Sequence, residues 1–321
     1  MEGLKIAAIG GGTGLSTMLR GLKLYTPNIS AIVTVADDGG SSGILRNDYG
    51  MLPPGDVRNC VSALAEVDPI AGELLNYRFK EGNLKGHSLG NLILAALNEM
   101  SGSFEDAVEK FNHIMGVVGT VYPVTNEDVT LHAVLKNGNV IHGESHIGTH
   151  RTGKETRIDK VYLNPERPKA VEQAVEAILT ADVVVLGPGS LYTSIIPNLL
   201  VDGITEAIRK SNAVKIYVCN IMTQPGETEG YKASDHLAAL EKHSYKGIAD
   251  AMIVNNAVIP ETLRMRYSEE FASEVIVDSE KIIDRTAFVS GNFLLIKSDK
   301  VRHNFSRLAR TIVTIGKTNF N

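Results

Sequence analysis

The fold is decided near the start of the chain by IAAIGGGTGL (residues 6–15), where an apolar run breaks into glycines and then takes up helical spacing. The pattern predicts a buried strand, a phosphate-binding loop and a helix whose apolar face runs from Leu15 to Leu22. Glycines allow a tight turn and bring backbone N–H groups close to an anion at the start of the helix. The candidate ligand-binding residues of this loop are Gly10, Gly11, Gly12, Thr13 and Gly14.

The loop lacks the signatures of two common classes of nucleotide-binding protein. A dinucleotide fingerprint needs a third glycine where this chain has Leu15, and no Lys-Ser or Lys-Thr pair follows for a Walker-type loop. An NAD(P)-binding protein is therefore the weaker alternative. A glycine turn that only joins a strand to a helix stays open.

Composition indicates a globular chain without a nucleic-acid or membrane partner. The 321 residues are 43% hydrophobic and 21% charged, with a net charge of -5, which argues against disorder and against a basic surface. No stretch approaches the roughly 20 apolar residues of a membrane span. Cys60 and Cys219 are too few for a disulfide framework, so we expect a cytoplasmic protein.

A second buried strand, over residues 29–36, is predicted to deliver two carboxylates to the same sheet edge. Asp37 and Asp38 follow it at the start of the loop DDGGSSG (residues 37–43). In doubly wound folds, ligands bind at the carboxyl ends of parallel strands. Carboxylates there can accept hydrogen bonds from ribose hydroxyls or hold a cation such as Mg²⁺. A strand cap followed by an Asp-Gly turn is the structural alternative.

Two predicted helix starts add further polar side chains. In PPGDVRN (residues 53–59), Pro and Gly disfavour regular structure until Asp56 can N-cap a helix, with Arg58 in its first turn. GHSLGN (residues 86–91) opens a nearly all-apolar helix with Ser88 as N-cap, which could hold His87 and Asn91 at the buried end of a cleft. His87 could bind phosphate or move a proton. Alternatively, His87 and Asn91 only satisfy backbone groups.

A β-rich insertion is predicted at about residues 128–163, where apolar and polar residues alternate and Asn137-Gly138 forms a hairpin turn. His142, His146 and His150 fall in or beside it without the thiol or carboxylate support that a metal site would need.

The opening pattern is repeated in ADVVVLGPGSLYTS (residues 181–194), a β-branched strand that ends in Gly187, Gly189 and Ser190. Such a loop can form a nest for phosphate, and two glycine loops fit a diphosphate better than one. Helix-compatible sequence then runs on to residue 208, and short strands lead to a final helix from about residue 302. Arg302 and His303, at its start, could meet a pyrophosphate or a sugar. The alternation of strands and helices predicts one α/β domain over residues 1–321, a Rossmann-like three-layer α/β/α sandwich with a mostly parallel sheet.

Taken together, the motifs resemble those of the YvcK-like gluconeogenesis factors, which are related to the CofD 2-phospho-lactate transferases. The motifs that carry the resemblance are GGGTG, DDGGSSG, PPGDVRN, GHSLGN and GPGSLYTSIIPNLL. The resemblance implies a CofD-like, cytoplasmic protein that is needed for normal cell shape on gluconeogenic carbon sources and binds UDP-sugars such as UDP-N-acetylglucosamine. It further implies ligand contacts at Thr13, Asn198, Tyr267 and Arg302.

Two classes of function follow from these motifs. One is a regulatory protein that binds a UDP-sugar without turnover. The other is a transferase that moves a phosphoryl-linked group from a nucleoside-diphosphate donor to an alcohol, with Mg²⁺ held by Asp37 or Asp38. The same polar groups serve binding and catalysis, so the sequence assigns no catalytic residue. A regulatory protein partner and a homo-oligomer are both compatible with the sequence.

Overall fold

The computed structural model describes residues 3–150 and 156–318, and its centre is a seven-stranded parallel sheet flanked by helices. In chain order the strands are β1 (Ile6–Gly10), β2 (Ile29–Val33), β3 (Thr120–Pro123), β4 (Thr130–Leu135), β5 (Val140–His142), β6 (Ile158–Asn164), β7 (Val183–Leu186), β8 (Val214–Val218), β9 (Ala251–Asn255), β10 (Ala287–Gly291), β11 (Leu294–Lys297) and β12 (Lys300–His303). The predicted α/β, Rossmann-like fold is confirmed.

The helices cover the sheet and bury its apolar strands. They are α1 (Gly12–Leu22), α2 (Gly40–Tyr49), α3 (Gly55–Leu64), α4 (Pro69–Asn76), α5 (Leu89–Glu99), α6 (Phe104–Ile114), α7 (Glu144–Thr149), α8 (Glu172–Leu179), α9 (Ile196–Leu199), α10 (Ile204–Lys210), α11 (Ala233–Lys242), α12 (Glu261–Glu269) and α13 (Phe305–Thr318). Helix α1 packs against α3 and α13, and α8 packs against α10. Every residue of β1, β7 and β9 is buried, as expected for parallel strands that are covered on both faces.

The strand order places a crevice between β1 and β7. The order is β10-β9-β8-β7-β1-β2-β3, so the chain first builds outward from β1 to β3 and later continues on the other side of β1 from β7. Ile6 pairs with Ile29 of β2 on one side and with Val183 of β7 on the other. The connections above β1 and β7 therefore diverge. This switch point is where open α/β sheets bind their ligands.

The predicted β-rich insertion is confirmed as a three-stranded antiparallel sheet in the order β5-β4-β6. It also contains α7, which was not predicted because a helix of six residues carries little periodic signal. Nδ1 of His132 on β4 lies 2.6 Å from Nδ1 of His142 on β5, whereas His146 lies on α7. Among the described residues, no three His, Cys, Asp or Glu side chains are placed to hold a metal ion.

Three of the element predictions were wrong. Helix α2 begins at Gly40, so four of the seven residues of DDGGSSG are helical rather than loop. The predicted helix up to residue 208 is two helices, because Gly203 between α9 and α10 has a φ of 97°. Arg302 and His303 end β12, where Arg302 pairs with Leu295 of β11, and the final helix begins only at Phe305.

No helix within residues 3–150 and 156–318 is long and apolar enough to cross a lipid bilayer.

The close packing of α1 against α13 depends on Gly21, which has no side chain to hold the helices apart. A Cβ on Gly21 would lie 2.9 Å from Ala309 Cβ and 2.9 Å from the Phe305 carbonyl carbon, so Gly21→Ala should push the two helices apart. We expect a loss of about 1 to 3 kcal/mol in the free energy of unfolding, measured by urea denaturation.

Gly72→Ala is the matched control, because Gly72 lies within α4 and its Cβ would meet no atom within 4 Å. It should raise the free energy of unfolding by about 0.5 to 1 kcal/mol, since alanine restricts the unfolded chain. Equal effects of the two substitutions would contradict close packing at Gly21.

Candidate functional site

The two predicted glycine loops meet at the switch point, backbone against backbone. A Cβ on Gly14 would lie 2.8 Å from the Pro188 carbonyl carbon, and one on Gly189 would lie 3.3 Å from the Gly11 carbonyl oxygen. Gly12 and Gly187 have φ angles of 64° and 77°, which side chains rarely adopt. The glycines therefore allow both the loop conformations and the close approach of the loops.

A cleft of about 360 Å³ opens beside these loops at the carboxyl ends of β1, β7 and β8. Its far wall comes from α12 and β12. The cleft brings together eight of the predicted site residues: Gly11, Gly12, Thr13, Gly14, Gly189, Ser190, Tyr267 and Arg302. Residues from the beginning of the chain and from its last fifth therefore line the same cleft.

Gly10, Gly187 and Asn198 lie behind the cleft rather than on its surface. Asn198 is fully buried, and its Nδ2 donates to the carbonyl oxygens of Gly10 at 3.1 Å and Ser194 at 2.8 Å. Asn198 thus ties the end of β1 to the turn that follows the second glycine loop. Asn198 would therefore affect ligand binding indirectly, by positioning the glycine loop that follows β1.

His87 and Asn91 also lie outside the cleft, in a buried hydrogen-bond network. Asn91 Nδ2 donates to Ser41 Oγ at 3.1 Å, which leaves the serine hydroxyl to donate to His87 Nδ1 at 3.0 Å. Arg58 Nε donates to Asn91 Oδ1 at 3.2 Å, so Arg58 is not a solvated surface residue. Ser88 caps α5 as predicted. These side chains satisfy one another.

Asp37 and Asp38 lie in the loop after β2, as predicted. Asp37 Oδ1 accepts a hydrogen bond from the Gly39 N–H at 2.9 Å, and Asp38 Oδ1 accepts one from the Ser145 N–H at 2.8 Å. Asp38 thereby fastens the inserted helix α7 to the main sheet. Neither aspartate lines the cleft that contains Tyr267 and Arg302.

The prediction that Asp56 caps α3 was wrong. The helix begins at Gly55, and the Asp56 carboxylate accepts a hydrogen bond from the backbone N–H of Gly12. A Cβ on Gly11 would collide with Asp56 Oδ2 at 2.5 Å, so the carboxylate lies directly against the glycine loop. Burial, together with the negative charge of Asp37, raises the pKa of Asp56 to about 7, although the Gly12 bond opposes the shift.

The second glycine loop has a buried carboxylate behind it as well. Glu227 Oε2 accepts from the Tyr192 N–H at 3.1 Å, and Oε1 accepts from Thr193 Oγ1 at 3.2 Å. Burial raises the pKa of Glu227 to about 7. Burial also raises the pKa of nearby Glu144 on α7 to about 8, with Asp37 as the next cause. Each loop is thus held from behind by an acceptor of its N–H groups.

The cleft surface itself is rich in hydrogen-bond donors. Gln224 Nε2 donates to Ser190 Oγ at 2.6 Å, so the serine hydroxyl is left to donate to a ligand. The Arg302 guanidinium donates to the Val301 carbonyl oxygen at 3.3 Å, and no carboxylate among the described residues pairs with it. Tyr267 Oη accepts from the Val301 N–H at 2.9 Å, which fixes the tyrosine against β12.

The sequence predicts that the polar loop after β8 joins the same rim, but it names none of the loop's residues as site residues. Five of them line the cleft, namely Asn220, Ile221, Met222, Thr223 and Gln224. The strand-end rule predicts a polar loop there but does not select among its residues. The available signal was the cluster of amide and hydroxyl side chains directly after a buried strand.

Comparison with known proteins identifies the family. The family model described as 2-phospho-L-lactate transferase CofD matches residues 6–294. The chain belongs to the CofD family. This CofD-family chain is 45% identical to the gluconeogenesis factor of Bacillus subtilis over 315 residues, which is 98% of each protein. It is 46% identical to the gluconeogenesis factor of Halalkalibacterium halodurans over 315 residues, 98% of this chain and 97% of that protein.

A crystal structure of a UPF0052-family protein from Bacillus halodurans is similar, with a TM-score of 0.92 and 46% identity. The match covers 96% of this CofD-family chain and 98% of the crystallised one. The resemblance predicted from the motifs is therefore confirmed at the level of family and fold.

The buried Asp56 carboxyl should make stability depend on pH. The folded pKa of about 7 lies above the ordinary value of 3.8, so the folded state binds the extra proton and stability falls as pH rises from about 4 to about 7. Asp56→Asn keeps an acceptor for Gly12 but removes the titration. The difference in melting temperature, variant minus wild type, should therefore grow between pH 5 and pH 8.

Asp48→Asn is the control, because Asp48 is an exposed acid on α2. Its melting curve should follow that of the wild type at every pH. Parallel pH profiles for Asp56→Asn and the wild type would contradict a raised pKa at Asp56.

Proposed function

We propose that this CofD-family chain is a regulatory protein that binds a UDP-sugar, with UDP-N-acetylglucosamine as its representative, in the cleft between the glycine loops and β12. The observation that carries the proposal is the meeting of two glycine loops at the switch point, in one cleft with the Arg302 guanidinium, which no carboxylate of residues 3–150 and 156–318 neutralises. We further propose that ligand binding links sugar-nucleotide supply to growth on gluconeogenic carbon sources and to cell shape.

The donors in the cleft support a diphosphate as the central part of the ligand. Backbone N–H groups at the start of α1 favour an anion, and the helix dipole adds about 0.3 to 1 kcal/mol at an exposed site. The Ser190 hydroxyl and Arg302 add a neutral and a charge-assisted donor. Gly12 gives its N–H to Asp56, so the remaining donors of both loops, rather than one complete nest, would hold the phosphates.

The dimensions and walls of the cleft support a sugar nucleotide rather than free phosphate. A volume of about 360 Å³ lies within the range of sites that enclose small ligands. The Tyr267 ring, fixed by its hydroxyl on β12, provides a face on which a base or sugar ring can pack. The relatives named gluconeogenesis factors support a role in carbon metabolism, and the motif resemblance supports uridine as the nucleoside.

Arg302→Ala tests the proposed site. Because losing a charge-assisted hydrogen bond costs about 1.5 to 3 kcal/mol, affinity for UDP-N-acetylglucosamine should fall roughly ten- to hundredfold in calorimetric titration. Arg266→Ala is the matched control. It also removes one arginine charge, here from α12, but it breaks only an exposed ion pair with Asp299 at 3.7 Å.

The control should bind like the wild type. Unchanged affinity of Arg302→Ala would move the sugar nucleotide away from β12. Tighter binding of NAD than of any UDP-sugar by the wild type would replace the proposal with the dinucleotide alternative.

A second candidate function is Mg²⁺-dependent transfer of a phosphoryl-linked group, as the name of the matched family model suggests. The carboxylates directly behind the first glycine loop favour this function. Asp56 lies against Gly11, and the negative charge of Asp37 helps to raise the pKa of Asp56. Asp37 and Asp38 each use one oxygen on a backbone N–H, which leaves the other oxygen for a cation. Mg²⁺ usually takes one or two carboxylates, with waters and phosphate oxygens as its other ligands, so the pair fits it. When bound, the ion would neutralise charge on the phosphates.

Asp37→Asn combined with Asp38→Asn should abolish any effect of Mg²⁺ on UDP-sugar binding, because a hard cation prefers charged carboxylate oxygens. Titrations with and without Mg²⁺, and chromatography of UDP-sugar incubated with an alcohol acceptor, measure this. Asp48→Asn controls for loss of surface charge. Absence of both a Mg²⁺ effect and a product in the wild type would exclude the transferase, while the binding proposal would stand.

A further inference from the structure

His303 brings a hydrogen-bond acceptor to a cleft in which the glycine loops, Ser190 and Arg302 supply donors. The residue ends β12 and lines the cleft, and its Nε2 lies 3.2 Å from the carbonyl oxygen of Cys219 at the end of β8. A carbonyl oxygen only accepts hydrogen bonds, so Nε2 carries the hydrogen and donates it. In the neutral ring, Nδ1 is then an unprotonated acceptor.

The neutral form of His303 is secured by its surroundings. Burial lowers the pKa of His303 to about 4, and the bond to Cys219 opposes this only in part. The ring is therefore uncharged throughout the neutral pH range, and its tautomer is set by Cys219. Within residues 3–150 and 156–318, Nδ1 has no hydrogen-bond partner.

Asn220 supplies a second acceptor, one residue after Cys219. Its Nδ2 donates to Gln224 Oε1 at 3.3 Å, which orients the amide and leaves Oδ1 without a partner in the described part of the chain. Gln224 in turn donates to Ser190 Oγ at 2.6 Å. These two hydrogen bonds leave Asn220 Oδ1 as an acceptor in the cleft and leave the Ser190 hydroxyl as a donor beside the second glycine loop.

We propose that His303 Nδ1 and Asn220 Oδ1 form an acceptor pair that binds the hydroxyl groups of the sugar directly attached to the diphosphate, an inference that rests on the proposed function. Phosphate oxygens cannot pair with acceptors, so the pair must receive a part of the ligand that has O–H or N–H donors. Adjacent strands lie about 4.8 Å apart, so the end of β8 is one strand away from the phosphate loop of β7. At that distance from the phosphates lies the adjoining sugar, and two acceptors match its neighbouring hydroxyls.

Two sugars of a UDP-sugar share this chemistry, the ribose and the hexose, and matched ligand pairs distinguish them. UDP against 2′-deoxy-UDP tests the ribose. UDP-glucose against UDP-2-deoxy-2-fluoroglucose tests the hexose, because fluorine cannot donate. A ligand that lacks the hydroxyl leaves the acceptor in the cleft without a partner and therefore binds more weakly. The wild-type chain should prefer the hydroxylated member of one pair by about tenfold or more in calorimetric titration.

Two variants separate the acceptor from the structural role of the ring. His303→Gln places its amide N–H near the Nε2 position and keeps the bond to Cys219, but it removes the Nδ1 acceptor. His303→Asn keeps a polar atom near the Nδ1 position but does not reach Cys219. We expect His303→Gln to bind with no preference within the pair and to melt like the wild type, and His303→Asn to keep the preference with a lower melting temperature.

The outcomes also separate this inference from the proposed function. A preference that survives in His303→Gln, or a wild type that binds UDP and UDP-glucose but distinguishes neither pair, overturns the acceptor pair and leaves UDP-sugar binding intact. A wild type that binds none of the four ligands overturns the proposed function and the acceptor pair together.

Discussion

Gly14 approaches Pro188 so closely that a Cβ on residue 14 would lie 2.8 Å from the Pro188 carbonyl carbon, and the arrangement of the cleft depends on this contact. It joins the loop after β1 to the loop after β7 at the point where the strand order reverses. A side chain at either loop surface would separate them and widen the crevice. Glycines at this contact therefore allow hydrogen-bond donors from two distant parts of the chain to lie side by side on one small surface.

The carboxylates behind these loops show how the same contact is held in place. Asp56 accepts the N–H of Gly12, and Glu227 accepts the N–H of Tyr192, each from the buried side. Burying an ionised carboxylate is unfavourable, which is why burial raises the pKa of both groups to about 7. Both carboxylates lie behind the glycine loops that line the cleft, which agrees with the tendency of local rules to be broken near functional sites.

The strands and the glycine loops could be predicted because each depends on local sequence. A buried apolar run followed by glycines predicts β1 and its glycine loop, and Ser88 caps its helix by a short-range hydrogen bond. Asp56 could not be placed this way, because its partner, Gly12, lies more than forty positions earlier. Tyr267 follows no periodic pattern and reaches the cleft only by tertiary packing, so only the family resemblance pointed to it. Arg302 was also singled out from the sequence, but on a helix start that is in fact the end of β12.

The far wall of the cleft has a small apolar core of its own. Ile221, Met222, Ile259, Leu263 and Val301 form a cluster separate from the main core, with Tyr267 and Leu294 packed against it. A hydrogen bond connects this cluster's side of the cleft to the central sheet: His303, on β12 with Val301, donates from Nε2 to the carbonyl oxygen of Cys219, which directly follows β8. Each such hydrogen bond contributes about 1 kcal/mol to the junction between this cluster and the end of β8. A ligand that contacts the glycine loops and Arg302 at once adds its binding free energy to that junction, because binding stabilises the conformation that it recognises. Under the proposed function, the bound and free states would differ most in how strongly this junction holds.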